Sequence, residues 1–102
     1  IFCIQEFYTN GFEHNNILSI QNLGLKYYTF YPSYTQSNTG NKWGLAIFSK
    51  YPLQSQKLVD INPTKSSMNE CIKSTLDYKG KTYTIFNAHF QSIHLDYSDY
   101  DY

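Results

Sequence analysis

The sequence predicts an α+β domain: one mixed sheet of about six strands with one helix. Three observations lead there. Short apolar runs rich in β-branched and aromatic residues recur along the chain, as buried or half-buried strands do. Only one stretch carries helical spacing. Clusters of Gly, Pro, Asn and Ser punctuate the runs, and no repeat or low-complexity tract intervenes.

The first run, Ile1-Phe2-Cys3-Ile4-Gln5, reads as a strand ending in Glu6. A polar segment from Thr9 to Asn16 follows. The stretch Asn15 to Gly24 then reads as the helix. Ile17, Ile20 and Leu23 supply its apolar positions, Asn15 or Asn16 can cap its start, and Gly24 suits the C′ position. Lys26 to Tyr31 is aromatic and β-prone, with Pro32 as its expected end. Ser33 to Lys42 reads as a polar surface loop.

Trp43-Gly44-Leu45-Ala46-Ile47-Phe48-Ser49-Lys50 is the clearest buried strand, apolar on both faces and stopped at Tyr51-Pro52. Gln56 to Ile61 alternates as a further strand, and Asn62 to Ser67 is a turn or loop. Glu70 to Tyr78 and Lys81 to Phe90 pair as a hairpin across Lys79-Gly80. In the last strand, period two puts Tyr83, Ile85, Asn87 and His89 on one face and Thr84, Phe86, Ala88 and Phe90 on the other. Both faces are largely apolar, so this strand is also expected to be buried from two sides.

At 102 residues, 41% of them hydrophobic, the chain holds at most one domain and has ample material for a core. No apolar run approaches the roughly 20 residues of a membrane span. The chain does not begin with Met, and Ile1 falls inside an apolar run. It stops in Asp99-Tyr100-Asp101-Tyr102 without a capping pattern. Residues 1–102 are therefore read as a partial domain, with localisation unknown and self-association expected from uncovered sheet edges. Net charge is zero, from eight Lys against eight acidic residues, with no Arg. That balance argues against tight duplex binding, which draws most of its affinity from phosphate neutralisation. Cys3 and Cys71 lack zinc-ligand spacing and read as two buried reduced thiols; a disulfide between them stays open.

Two strand ends carry the candidate chemistry. A carboxylate at the tip of one strand (Glu6) suits a hard divalent cation, and an imidazole at the tip of another (His89) suits a reacting phosphate. Each also has a plain structural reading, Glu6 as a solvated surface carboxylate and His89 as a backbone-bonded rim histidine. Other polar groups read more simply. His94 falls on the face opposite His89, which disfavours a metal pair, and Asp96, Asp99 and Asp101 read as an acidic tail. His14 is a loop residue. The Tyr27, Tyr28, Phe30 and Tyr31 group could stack rings, although strand burial explains it more cheaply.

The order of three stretches is more specific than any one of them. Ile4-Gln5-Glu6, then Gly44-Leu45-Ala46-Ile47-Phe48-Ser49-Lys50-Tyr51-Pro52-Leu53, then Ile85-Phe86-Asn87-Ala88-His89-Phe90-Gln91-Ser92 resembles the endonuclease/exonuclease/phosphatase superfamily, the deoxyribonuclease-I-like fold. The resemblance implies that this chain is part of a four-layer α/β/β/α sandwich. It implies Mg²⁺ or Mn²⁺ held by Glu6, and a phosphate-contact or acid/base role for His89. Asn87 enters as part of the Asn-x-His motif, and Asn69 falls near a position that often faces substrate.

The departures are as informative. The family's later Gly-Asp-x-Asn and Ser-Asp-His motifs and its earlier metal-binding Asn strand are absent from this sequence. The expected function is a segment of a metal-dependent phosphohydrolase, with little turnover by itself. Its substrate is a phosphoester of nucleic acid, a phospholipid head group or an inositol phosphate. The alternative is a catalytically silent module that binds through its aromatic surface.

Overall fold

The computed structural model describes residues 1–11, 13–62 and 69–90. Their element order is β1 (Phe2–Thr9), α1 (Asn16–Asn22), β2 (Tyr27–Thr35), β3 (Lys42–Ser49), β4 (Leu53–Leu58), β5 (Glu70–Tyr78) and β6 (Lys81–His89). The number of strands agrees with the sequence reading, but the sheet does not. There is no single mixed sheet of six. Two three-stranded sheets form, ordered β1-β3-β2 and β4-β5-β6, and every pairing in them is antiparallel. The described residues are mostly β, with one short helix, so the expected α+β class and its α/β/β/α sandwich are overturned.

The reason lies in what can cover β3. Leu45 and Ile47 point to one side of it and Ala46 and Phe48 to the other, all fully buried. The seven residues of α1 can shield only one of those sides. Ile17, Ile20 and Leu25 pack there against Phe7, Ala46 and Phe48. On the other side the second sheet closes over Leu45 and Ile47 with Ile72, Leu53 and Ile85. Folding one set of strands over the other buries both faces of β3 where a single layer of six could not.

Individual elements show where local signals hold. The Asn15 side chain accepts from the Leu18 N–H, so Asn15 is the helix cap, and Gly24 follows the C-cap at φ +105°. Leu23 is exposed, contrary to its expected place on the apolar stripe. It lies about 240° around the helix from Ile17 at about 100° per residue, well off that face. At the hairpin, Lys79 and Gly80 both have positive φ, as a type I′ turn requires.

Pro32 does not end β2, which runs on to Thr35. An edge strand has an unpaired side on which proline's missing N–H costs nothing. The expected Ser33–Lys42 loop thereby shrinks to a turn closed by the Gln36 N–H to Asn41 carbonyl bond. The fourth strand starts at Leu53, earlier than the expected Gln56.

β6 is an edge strand, and Phe86 on its outer face is 57% exposed, so burial from both sides is overturned. Cys71 is buried, but Cys3 is exposed on edge strand β1, and both are free thiols. No helix among the described residues is long and apolar enough to cross a membrane. The expected turn over 63–67, the Gln91-Ser92 end of the last matching stretch, His94, and the acidic positions Asp96, Asp99 and Asp101 lie outside the described residues.

Candidate functional site

The two outer strands of the first sheet each carry a bulge beside Gly44 on β3. In β1 the register passes from Ile4↔Ala46 to Phe7↔Gly44, so Gln5 and Glu6 together face one residue. In β2 it passes from Pro32↔Gly44 to Tyr34↔Trp43, leaving Ser33 as the extra residue. Bulges re-aim side chains, and Glu6 takes a left-handed backbone at φ 53° to achieve this. Gly44 allows the close approach of β2. A Cβ there would sit 1.8 Å from the Tyr31 carbonyl oxygen.

Beside the bulge of β1, β6 reaches across to the first sheet through side chains. The Asn87 amide, 3% exposed, donates to the Ile4 and Ala46 carbonyls, each at 2.9 Å. Gln5 Nε2 donates to the Ala88 carbonyl at 2.5 Å. These bonds lock the end of β6 against the bulge of β1, and the result is a meeting of the two predicted groups. Glu6 Oε1 lies 3.4 Å from His89 Nε2. The sequence reading placed Glu6 and His89 at strand ends of a single mixed sheet. They stand instead on different sheets and meet across the sandwich.

Glu6, Tyr8, Ser33, Trp43, Gly44, Glu70 and His89 line one cleft of about 420 Å³. Glu70 is a carboxylate that sequence reasoning missed. It sits directly across from His89 in the β5–β6 register, and the Ser33 hydroxyl donates to it. Its only signal was its place at the start of β5 opposite a strand-end histidine, which becomes visible once the hairpin register is known. Exposure is asymmetric: the Glu6 side chain is 77% exposed and that of His89 40%.

Asn87 and Asn69 do not join this cleft. Asn87 is turned inward and holds the two sheets together. Asn69 is tied to Asn62, whose side chain accepts from its N–H and donates to its carbonyl. It lines a neighbouring cleft with Tyr31, Asp60 and Glu70.

The donor set decides which cation fits. Among the described residues no three His, Cys, Asp or Glu side chains converge as a metal cage. An open carboxylate with a second one in the same cleft suits a hard, water-rich ion such as Mg²⁺, which keeps several waters and takes one or two carboxylates. A closed imidazole or thiolate site is not built here. No protein-family model, curated protein or solved structure matches this chain.

Proposed function

We propose that this chain carries the metal-facing and phosphate-facing part of a metal-dependent phosphoesterase, as its resemblance to the endonuclease/exonuclease/phosphatase superfamily implies. One observation carries the reading: a bulged, left-handed Glu6 and a strand-end His89, from opposite ends of the described chain, meet at 3.4 Å in one cleft. Glu6 would hold Mg²⁺ or Mn²⁺ with water filling the other positions, and Glu70 lines the same cleft. When bound, the ion would supply charge neutralisation for the phosphoryl oxygens. His89 contacts a phosphate oxygen and donates or accepts a proton there. Asn87 and Gln5 keep these groups in register.

The sequence lacks the family's Asp–His base, so turnover of a simple phosphodiester by this chain is expected to be low. Metal binding therefore tests the reading more directly than activity. Mn²⁺ binding followed by electron paramagnetic resonance should weaken about tenfold in Glu6→Gln and hold within about twofold in His89→Ala. Equal binding by the unmutated chain and both variants would remove the assignment of Glu6.

A further inference from the structure

Beside the cleft runs a row of three aromatic rings, one from each strand of the first sheet. Tyr8, Trp43 and Tyr34 are cross-strand neighbours. Trp43 lies 5.1 Å from Tyr8 and 5.5 Å from Tyr34, centroid to centroid. Both bulges are needed to make this row. Without the one in β1, Phe7 would face Trp43; without the one in β2, Ser33 would. Each bulge brings a tyrosine to the face on which Trp43 stands, and Tyr8 and Trp43 themselves line the cleft of Glu6 and His89. Tyr8 is fixed further by the Asn10 amide, which donates to its hydroxyl at 3.2 Å. Tyr34 is 59% exposed, so the row opens to solvent at that end.

We propose that the Tyr8–Trp43–Tyr34 row is a stacking platform for an unpaired nucleobase next to the phosphate handled at Glu6 and His89. The inference rests on the phosphoester reading of the cleft and narrows its substrate to single-stranded nucleic acid. The chemistry of the cleft and the row argues against the other classes. Adjacent rings touch at tilts of 43° and 40°, forming a ledge rather than a box with room for a choline cation among the rings. The cleft is lined by two carboxylates and by neither Lys nor Arg, so an inositol carrying several phosphates is repelled. A duplex hides its base faces and needs a basic surface, whereas the chain has zero net charge and no Arg. A neutral base beside a single phosphate fits what remains, because every base has a π-face for an aromatic side chain. Across three strands the row spans about 10 Å at the usual strand spacing, room for one or two bases.

The chain has one tryptophan, Trp43, so its fluorescence reports from inside the row. The experiment titrates the full 102-residue chain with a short oligothymidylate in excess chelator, where no hydrolysis can occur. Saturable quenching is expected. An abasic oligomer of the same phosphate count should bind about tenfold more weakly or worse, the usual scale for losing one stacked base. Tyr34→Leu should cause a similar loss while thermal unfolding stays close to that of the unmutated chain. Tyr27→Leu, at an exposed tyrosine elsewhere on β2, should not.

Absence of quenching, equal binding of the abasic oligomer, unchanged affinity in Tyr34→Leu, or stronger quenching by phosphatidylcholine vesicles would each overturn the platform. The two readings fail separately. Base-dependent binding together with equal Mn²⁺ binding by the unmutated chain, Glu6→Gln and His89→Ala would keep the platform and remove the phosphoesterase. His89-dependent cleavage at equal rates for base-bearing and base-free phosphodiesters would do the reverse.

Discussion

β3 and β6 are similar strands placed differently. Each carries apolar and aromatic residues through its middle, over eight residues in β3 and nine in β6, and each ends in a polar residue. β3 lies between two neighbours in its sheet, with α1 on one side and the second sheet on the other, and every residue from Gly44 to Ser49 is buried. β6 lies at the rim of its sheet. Its inner face meets the core through Ile85 and Asn87, while Phe86 faces water. Apolar content therefore sets how much burial a strand can accept, and position sets how much it receives. The site follows from that difference. A rim strand can end in an accessible imidazole, whereas β3 contributes to the cleft only from its start, through Trp43 and Gly44.

The largest effect that can break this comparison is on stability. Ile47→Ala empties a fully buried position between the sheets and should cost roughly 2–5 kcal/mol. Phe86→Ala removes a larger side chain from the rim and should stay within about 0.5 kcal/mol. Chemical denaturation of both variants is the measurement. A loss at Phe86 approaching that at Ile47 would mean that the outer face of β6 is covered in solution, by a second copy or by another part of the chain.

Much of this was legible in the residues, for reasons that can be named. The β3 strand, the Asn15 cap, the Gly24 C′ position and the Lys79-Gly80 turn are local, and local chemistry decides them. His89 was legible as a strand-end group, whereas Glu6, expected at a strand tip, lies inside β1 at its bulge, because the strand resumes pairing from Phe7 to Thr9. What escaped depends on partners distant in sequence. Splitting into two sheets depends on how little one short helix can cover. The exposure of Phe86 depends on strand order. The Glu70–His89 facing depends on hairpin register, and the Tyr8–Trp43–Tyr34 row on two bulges that no spacing rule announces. Asn87 entered through a motif that suggests chemistry, while in the structure its amide donates to the Ile4 and Ala46 carbonyls, a placement that depends on how the two sheets meet.

Asn87 gives the next test, of intermediate size. If it is the bolt between the sheets, Asn87→Ala removes two hydrogen bonds, to the Ile4 and Ala46 carbonyls, and should cost about 2 kcal/mol. Asn87→Asp keeps the shape but sets a carboxylate oxygen against two carbonyl oxygens, so it should cost at least as much. A catalytic asparagine would behave otherwise, with stability preserved and only substrate handling lost. Thermal unfolding separates the two, and an unchanged midpoint in Asn87→Ala would return Asn87 to the cleft.

The smallest effect is the most discriminating, because its sign runs against the usual one. Glu6 holds φ at 53°, a conformation that costs a residue with a Cβ about 1–2 kcal/mol and glycine little. Its contact with His89 joins two substantially exposed side chains, so losing it should change stability by only a few tenths of a kcal/mol. Glycine regains freedom when unfolded, which offsets part of the relief. Glu6→Gly should therefore raise stability slightly, by about 0.5 kcal/mol. It should also weaken Mn²⁺ binding at least as much as Glu6→Gln does. Gain in one measurement and loss in the other is what a strained residue kept for its carboxylate should show. If Glu6→Gly is instead less stable than Glu6→Gln, the left-handed turn is held by the glutamate's own contacts, and the bulge serves the sheet rather than the site.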